Sequence, residues 1–337
     1  MAKAVIMAGG QGERFWPMTH EQFPKYRIPF YGNKSLLQKT LQRLEKVYGK
    51  GNVYVITTAG HTSFIRKELP RLSKKNILIE PSRKNTAAAI YLATLLLEKQ
   101  FGTNEVISFY PADHLIQNEK LFRATIQNAI RLATRRDDLV TIGIQPTFPA
   151  IGYGYIESGK ILSGFKNAFC VKRFVEKPDY PTAVKYGKKN NFFWNGGIFT
   201  WKTGVLLAAM RRHSPDIAKT IVLDRLKAGY KKVKSISIDY ALFEKAENIS
   251  MIRTSMDWCD VGSWDMYHAK NPQDASGNYV DGLSVQHETR NSLLLNHTSK
   301  PLVALGLSDI LVVQTPQGTL VCRRGRAEEG ALLFKKL

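Results

Sequence analysis

The sequence predicts an α/β protein with a Rossmann-like, mixed and mostly parallel sheet, followed by a small all-β domain at the carboxyl end. Two observations support this fold class. Short apolar runs alternate with helical patterns through the first two thirds of the 337 residues, as in sheets covered by helices. From about residue 292 the pattern changes to short strands separated by turns. We therefore expect one domain over residues 1–268 and a second over residues 269–337.

The predicted elements alternate along the chain. Val5, Ile6 and Met7 form an apolar run typical of a buried strand. Apolar residues with helical spacing then predict a helix over residues 36–47. Further strands are expected at residues 53–57, 77–79 and 106–110, and a further helix at residues 86–98. Four short strands are expected in the second domain, at residues 292–295, 302–305, 310–313 and 319–322.

The composition indicates a cytoplasmic globular protein that does not enter the membrane. The longest nearly unbroken apolar run, residues 87–97, is too short to cross a bilayer. No secretion signal precedes the first predicted strand. Cys170, Cys259 and Cys322 are far apart and lack the spacing of metal ligands, so reduced thiols are expected.

The strongly positive charge raises the question of nucleic-acid binding. The chain has 49 Lys and Arg against 28 Asp and Glu, a formal net charge of +21. Clustered cations gain affinity by releasing counterions from a phosphate backbone. The clusters here are dispersed and lack interleaved aromatic residues, so we expect no nucleic-acid partner and a small polyanionic substrate instead. A basic nucleic-acid-binding protein remains an alternative.

The first predicted strand runs into a glycine-rich turn. Gly9, Gly10 and Gly12 allow backbone N–H groups to converge on an anion, and Arg14 adds charge and a forked set of donors. The spacing does not match the dinucleotide fingerprint, and no Gly-Lys-Ser/Thr ending makes it a P-loop. The turn therefore predicts phosphate binding of another type. An ordinary strand-to-helix turn is the alternative.

Three further residues are candidates for binding a triphosphate and its metal. Lys25 can reach phosphates from the side opposite Arg14. Asp113 follows a predicted strand, and Asp260 lies in an apolar and aromatic segment. Carboxylates in such surroundings need a partner, and a magnesium ion shared with phosphates is one. A surface lysine, a helix cap or a buried salt bridge would explain the same residues without a ligand.

Nine motifs in order along nearly the whole chain resemble the mannose-1-phosphate guanylyltransferases, or GDP-mannose pyrophosphorylases, a branch of the sugar-nucleotide pyrophosphorylases. They are AGGQGERFWP at residues 8–17, PK at 24–25, EPSRKNTAAAI at 80–90, PADH at 111–114, GYGYI at 152–156, FVEKP at 174–178, WNGGIF at 194–199, SIDYALFEK at 237–245 and CDVGSW at 259–264. The chain departs from the family pattern in three motifs: at Tyr26 and Arg27, at Ala88, and at Gly196. None of the three departures removes a charged candidate.

The resemblance implies a role for each matching residue. The residues implied in nucleotide binding are Ala8, Gly9, Gly10, Gly12, Glu80, Asn85 and Thr86, and those implied in holding the departing pyrophosphate are Arg14 and Lys25. Asp113 and Asp260 would bind Mg²⁺. Gly154, Glu176, Lys177 and Asn195 would bind the sugar phosphate. Some motif residues also have structural interpretations: Asn85 as a helix N-cap, Asp239 as a helix cap rather than a sugar ligand, and Trp194 as core.

The same resemblance implies a fold, a reaction and partners. The fold would be of the nucleotide-diphospho-sugar transferase type, with a short left-handed β-helix at the carboxyl end that forms a homodimer. The reaction would join GTP and mannose 1-phosphate to give GDP-mannose and pyrophosphate, with Mg²⁺ as cofactor. Two alternatives stay open: the same chemistry on another sugar or base, and a non-catalytic regulatory relative that binds a sugar nucleotide.

Overall fold

The computed structural model describes residues 2–10, 12–30 and 32–334. The chain divides into two compact units. Unit 1 contains residues 1–9, 40–112 and 116–258, and unit 2 contains residues 10–39, 113–115 and 259–337. Unit 2 therefore combines the carboxyl-terminal residues with two segments from the first half of the chain.

The described residues contain strands, α-helices and shorter helical turns. The strands are β1 Lys3–Met7, β2 Val53–Thr58, β3 Ile77–Glu80, β4 Val106–Pro111, β5 Leu115–Ile116, β6 Leu139–Ile144, β7 Tyr155–Ile161, β8 Ala168–Val175, β9 Phe192–Lys202, β10 Ile249–Thr254, β11 Trp258–Cys259, β12 Tyr279–Gly282, β13 Ser284–His287, β14 Leu293–Asn296, β15 Leu302–Leu305, β16 Ile310–Thr315 and β17 Gly318–Arg323. The α-helices are α1 Leu36–Tyr48, α2 Thr62–Glu68, α3 Asn85–Phe101, α4 Glu119–Arg135, α5 Tyr180–Gly187, α6 Thr203–His213, α7 Pro215–Thr220, α8 Leu226–Lys232, α9 Trp264–Lys270 and α10 Ala327–Phe334. The shorter turns are the 3₁₀ segments Glu13–Phe15, Lys25–Arg27, Ala59–His61, Lys74–Asn76 and Leu223–Arg225 and the π-helical segment Asp239–Phe243.

Unit 1 is built around a nine-stranded sheet with the order β3-β2-β1-β4-β9-β6-β10-β8-β7. The first four of these strands are parallel to one another, and β6 is parallel to β10. β9, β8 and β7 pair antiparallel with their neighbours. The sheet is thus mixed, as predicted, but its parallel part is smaller than the sequence predicts. The reason is the connections: the loop at residues 162–167 allows a hairpin between β7 and β8 but is too short for a parallel crossover.

Helix α3 shows why the chain folds as it does in unit 1. Its sequence is apolar on nearly every side, so a position covered by other elements is favoured over the surface. Residues 87–94 and Leu97 are buried in a core that also contains Phe109 of β4 and Trp201 of β9. The strands predicted at residues 53–57, 77–79 and 106–110 are confirmed, and each extends by one residue.

The parallel strands place their carboxyl ends at one edge of the sheet. β1 ends at Met7, and β3 ends at Glu80. Just beyond β1, the Ala8 N–H donates a hydrogen bond to the Ile56 carbonyl of β2 (3.0 Å), so the pairing of the two strands extends by one residue. In open α/β sheets ligands bind beyond the carboxyl ends of the strands. Gly9 and Glu80 therefore lie where a ligand site is expected.

Unit 2 contains the predicted carboxyl-terminal strands and an additional helix. β12, β14 and β16 are parallel, β17 pairs antiparallel with β16, and β13 and β15 form a separate parallel pair. The sequence predicts an all-β region here. The structure differs, because helix α10 follows β17. Its sequence AEEGALLF is rich in strong helix formers, and Ala327 and Ala331, one turn apart, are buried.

Candidate functional site

The glycine-rich turn begins where β1 ends. Ala8 is fully buried. Gly9 lies against Glu80, since a Cβ at Gly9 would be 3.5 Å from Glu80 Oε1. A Cβ at Gly10 would meet no atom within 4 Å. Space beside an exposed backbone N–H is what binding of a phosphate group requires, so the surroundings of Gly10 suit the predicted role.

In unit 2, Gly12 makes a close approach to Lys25. Its φ of +72° lies in the left-handed region, and a Cβ there would come 2.3 Å from the Lys25 Cβ. The Gly12 carbonyl accepts hydrogen bonds from the Phe15 N–H (2.8 Å) and from Thr19 Oγ1 (2.7 Å). Only glycine satisfies both the backbone angle and the space. The turn is therefore folded against the Lys25 side chain.

Lys25 joins the two predicted metal ligands. Its Nζ lies 2.6 Å from Asp113 Oδ2 and donates to the main-chain carbonyl of Asp260 at 2.7 Å. Burial raises the pKa of Asp113, but the Lys25 ammonium, His114 and the hydrogen bond from Lys25 outweigh burial and lower that pKa below its ordinary value. The structure thus brings Asp113 and Asp260 together around one cation, with Asp113 ionised at neutral pH.

The acidic residues of this cluster suit a hard cation. Across residues 2–10, 12–30 and 32–334, no group of three or more His, Cys, Asp or Glu side chains is arranged to hold a metal. Mg²⁺ is commonly bound by one or two carboxylates together with substrate phosphates and water, rather than by a complete protein cage. Asp113 and Asp260 supply that kind of donor set, and they do not supply the nitrogen and sulfur ligands typical of zinc.

Arg14 lies beside the same cluster. Its side chain is 56% exposed, and Nη1 is 3.4 Å from Glu328 Oε1. Gly262 leaves space between Arg14 and Asp260: a Cβ at Gly262 would be 3.4 Å from Arg14 Nη1 and 3.2 Å from Asp260 Oδ2. Arg14, Lys25, Asp113 and Asp260 therefore form one cluster of alternating charge in unit 2.

In unit 1, Glu80 is a buried carboxylate that lacks a hydrogen-bond partner on one oxygen. The residue is 5% exposed, and no described residue hydrogen bonds to its Oε2. Burial raises the pKa of Glu80 to about 7, although the positive charge of Arg83 acts in the opposite direction. Arg83 in turn contacts His61, with 2.5 Å between Nη2 and Nε2. A buried acceptor without a donor costs stability, so a ligand that brings donors is the natural complement.

Asn85 and Thr86 begin α3 in unit 1. The Asn85 side chain is exposed and its Oδ1 accepts a hydrogen bond from the Thr86 N–H (2.7 Å). Thr86 Oγ1 already accepts from the Ile238 N–H (2.9 Å). Lys84, not Asn85, is the cap of α3, and its side chain makes no capping hydrogen bond. Asn85 is thus the more accessible of the two predicted ligands.

The four predicted sugar-phosphate ligands also lie together in unit 1. Lys177 Nζ is 3.0 Å from Glu176 Oε1, and the Glu176 side chain is only 7% exposed. The Asn195 N–H donates to the Gly154 carbonyl at 2.8 Å. A Cβ at Gly154 would be 2.5 Å from Glu176 Oε2 and 3.4 Å from the Asn195 Cβ. Gly154 therefore leaves the space that the Glu176 carboxylate occupies.

Asp239 belongs to this group, whereas the sequence favoured a helix cap for it. Its Oδ1 accepts from Asn195 Nδ2 (2.9 Å), and the cap of the π-helical segment makes no side-chain hydrogen bond. Asn195 Oδ1 accepts in turn from Thr141 Oγ1 (3.0 Å). Burial, followed by the negative charge of Glu176, raises the pKa of Asp239 to about 7. The Ser-Ile-Asp-Tyr motif was the signal for Asp239, but its partner is 44 residues away.

Trp194 belongs to the core. The residue is 4% exposed, and its ring packs edge-on against Tyr153 (5.2 Å between centroids) and Phe148 (4.8 Å). Little of its face is accessible to a sugar. The structure therefore supports the interpretation of Trp194 as a core residue.

Among the described residues of the predicted motifs, three that are not glycine have a left-handed backbone: Asn85 (φ 65°), Lys177 (φ 47°) and Val261 (φ 45°). Val261 is fully buried, and a β-branched residue is rarely found in this region. Backbone strain of this kind tends to occur at functional sites, where the surrounding structure enforces it. The three positions fall in the motifs predicted to bind the base, the sugar phosphate and the metal.

None of the helices within the described ranges combines the length and the apolar character needed to cross a membrane.

The chain resembles proteins of known sequence and structure over nearly its whole length. Residues 3–277 match the family described as Nucleotidyl transferase. A Mannose-1-phosphate guanylyltransferase of Sinorhizobium fredii is 33% identical over 346 residues, which cover 98% of this chain and 67% of that protein. A protein of the same name from Escherichia coli is 35% identical over 338 residues, which cover 95% of this chain and 72% of that protein. The crystal structure of a protein named mannose-1-phosphate geranyltransferase, from Thermus thermophilus, aligns with a TM-score of 0.88 at 29% identity, covering 99% of this chain and 98% of that one.

Proposed function

The chain belongs to the nucleotidyl transferase family, and we propose that it transfers the guanylyl group of GTP to mannose 1-phosphate, giving GDP-mannose and pyrophosphate. An oxygen of the sugar phosphate attacks the α-phosphorus of GTP. The bond between the α-phosphorus and the bridging oxygen of the β-phosphate breaks, and pyrophosphate leaves with the electron pair.

The observation that carries this proposal is the buried carboxylate of Glu80. Guanine presents an N1–H and an exocyclic amino group side by side, both of them donors, and a carboxylate can accept from both. Adenine presents an acceptor at N1 and would leave the buried Oε2 of Glu80 unpaired. Sites built to pair with particular donors reject analogues that lack them by factors of about 10⁴. Glu80, beside Gly9 of the phosphate turn, therefore supports guanine as the base.

The cationic side chains of unit 2 suit the triphosphate. We propose that Gly9, Gly10 and Gly12 direct backbone N–H groups at the phosphates, and that Arg14 and Lys25 bind the departing pyrophosphate. Phosphoryl transfer depends mainly on positioning and on stabilising the charge that develops on the leaving group. Since the second pKa of a phosphate monoester is around 6, the nucleophile is already ionised at neutral pH, and no histidine base is required.

We propose that Asp113 and Asp260 hold Mg²⁺ when the nucleotide is bound. Both residues lie at the Lys25 ammonium, and both can offer carboxylate oxygens. When bound, the ion would supply Lewis-acid stabilisation of charge on the phosphate oxygens. Lys25 pairs with the Asp113 carboxylate and packs against the turn at Gly12.

The second cluster of unit 1 suits a sugar 1-phosphate. The Lys177 ammonium can bind the phosphate, and the carboxylates of Glu176 and Asp239 can accept hydrogen bonds from sugar hydroxyl groups. Asn195 orients Asp239, and Gly154 keeps the backbone clear of Glu176. We propose that Gly154, Glu176, Lys177, Asn195 and Asp239 bind mannose 1-phosphate. We also propose that Asn85 and Thr86 lie near the base.

We further propose that residues 1–268 form the nucleotidyltransferase domain and residues 269–337 a homodimerisation domain, with its parallel strands wound as a short left-handed β-helix. Val285 of β13 pairs with Val303 of β15, and these side chains are 62% and 71% exposed. Leu283 lies two residues before Val285, and Leu305 lies two residues after Val303. Their side chains are 56% and 64% exposed. Exposed apolar side chains on paired strands commonly mark an interface. A Val303→Glu variant should elute as a monomer, whereas Val321→Glu, on β17, should not change the molecular mass measured by light scattering.

One assay tests the proposed reaction. Magnesium-dependent release of pyrophosphate is measured with each of four nucleoside triphosphates and with the 1-phosphates of mannose, glucose and galactose. We expect turnover with GTP and mannose 1-phosphate. Equal rates with GTP, ATP and UTP would refute the role of Glu80 in base selection. Binding of GDP-mannose without any release of pyrophosphate would point to a regulatory relative.

A further inference from the structure

The carboxyl-terminal helix α10 is fixed at its beginning to helix α9 of the same unit. Asp265 of α9 accepts a hydrogen bond from the Gly325 N–H (2.9 Å to Oδ2) and contacts Arg324 Nε (3.3 Å to Oδ1). Ala327 and Ala331 of α10 are buried, and Ala327 packs in the apolar cluster that also contains Phe15 and Val261. The helix therefore has a defined position rather than a frayed one.

From this position α10 contacts the phosphate-binding segment at two points. Glu328 Oε1 lies 3.4 Å from Arg14 Nη1. At the other end of the helix, the Phe334 ring stacks on Trp16, with 4.4 Å between centroids and 22° between planes. Glu329, the next residue, instead pairs with Arg326, with 2.5 Å between Oε2 and Nη2. Two adjacent glutamates thus have different partners, and only Glu328 reaches the proposed pyrophosphate ligand.

We propose that Glu328 competes with pyrophosphate for Arg14, and that it thereby weakens pyrophosphate binding and favours its release. The inference rests on the proposed function, because it needs Arg14 to bind pyrophosphate. The Arg14 and Glu328 side chains are 56% and 55% exposed, so their ion pair is weak enough to be displaced by a polyanion. While pyrophosphate is bound, the displaced carboxylate remains anchored nearby by α10. When pyrophosphate leaves, Glu328 pairs with Arg14 again. Glu328 is in this sense a positioning residue that acts through Arg14.

The test compares two neighbouring charge-neutralising variants. Binding of pyrophosphate in the presence of Mg²⁺ is measured by calorimetry for the wild type, Glu328→Gln and the matched control Glu329→Gln. We expect Glu328→Gln to bind pyrophosphate about two- to fivefold more tightly than the wild type, which corresponds to the free energy that an exposed ion pair contributes. Glu329→Gln should bind like the wild type. Equal or weaker binding by Glu328→Gln would overturn the inference.

A second measurement shows whether the effect passes through Arg14. In an Arg14→Ala background, Glu328→Gln should no longer change pyrophosphate affinity, because the interaction partner is absent. An undiminished gain in that background would show that Glu328 acts independently of Arg14 and would also overturn the inference. Failure of the proposed function gives a different result: the wild type would then not bind pyrophosphate at all, and no variant would turn over GTP.

Discussion

Gly12 and Lys25 are packed so closely that any side chain on residue 12 would displace Lys25. A Cβ on Gly12 would lie 2.3 Å from the Lys25 Cβ and 3.3 Å from its Cα. Lys25 in turn contacts Asp113 and the Asp260 carbonyl. The glycine of the phosphate turn thus controls the position of the ammonium group that joins both proposed metal ligands.

We expect Gly12→Ala to lower kcat/KM by about 10²-fold or more, the cost of a displacement of about 1 Å in a catalytic group. The left-handed φ of +72° adds a backbone cost of about 1–2 kcal/mol, so the melting temperature should also fall. The matched control is Gly187→Ala, where an added Cβ meets nothing within 4 Å. Pyrophosphate release and thermal unfolding are the measurements. Full activity of Gly12→Ala would show that Lys25 does not need its present position.

We expect Arg14→Ala to lower kcat by about 10³-fold or more, the scale on which an arginine clamp assists phosphoryl transfer. Arg14→Lys should recover only part of the rate, because lysine keeps the charge and loses the forked donor geometry. Arg326→Ala is the control, since Arg326 is exposed and forms its ion pair with the nearby Glu329. Single-turnover rates with radiolabelled GTP separate the chemical step from product release. Near-normal turnover of Arg14→Ala would rule out its proposed role.

The sequence predicts which residues lie together in the Lys25 cluster of unit 2 and in the Glu176 cluster of unit 1. It does not predict the side-chain contacts within each cluster. Asp113 could be placed because a strand and its end are local features, and the end of β4 marks a ligand edge. The pairing of Arg14 with Glu328 joins positions 314 apart, and no local pattern encodes it. Asp239 was assigned to a cap for the same reason, since an aspartate that begins a helical segment has a local explanation that hides its partner Asn195. The sequence does not predict helix α10, because the four predicted strands before it favour an all-β region.

The Gly154 position predicts a selective effect on the sugar substrate. In Gly154→Ala the new methyl would lie 2.5 Å from Glu176 Oε2, and Glu176 is held by Lys177, so the carboxylate must move. We expect kcat/KM for mannose 1-phosphate to fall roughly 10²-fold while the KM for GTP changes little. Gly152→Ala, with nothing within 4 Å of the new atom, should have a much smaller effect. Equal losses for both substrates would place Gly154 outside the sugar-phosphate cluster.

The proposed pairing of Glu80 with guanine predicts how the enzyme discriminates between bases. Glu80→Gln keeps one acceptor oxygen but replaces the other with a donor, so one charge-assisted hydrogen bond to guanine is lost. Such bonds contribute about 1.5–3 kcal/mol, which corresponds to a fall of about 10- to 100-fold in kcat/KM for GTP. The ratio of GTP to ATP turnover should fall as well. The exposed Glu21 provides the control Glu21→Gln, which should match the wild type. An unchanged ratio would show that Glu80 does not read the base.

The same substitution should stabilise the unliganded protein in a pH-dependent way. Burial raises the pKa of Glu80 from 4.5 to about 7. The folded state therefore keeps its proton up to about pH 7 while the unfolded chain releases it near pH 4.5, and the folded protein loses stability as pH rises between these values. The shift of about 2.5 pKa units, from 4.5 to about 7, corresponds to roughly 3 kcal/mol. Glu80→Gln should thus unfold at higher temperature than the wild type at pH 8, with the difference shrinking toward pH 5. With saturating GTP, the wild type should instead unfold at the higher temperature, because the bound base provides hydrogen-bond donors for its Glu80 carboxylate. A gain in stability that is the same at pH 5 and pH 8 would mean that the Glu80 charge is not the cause.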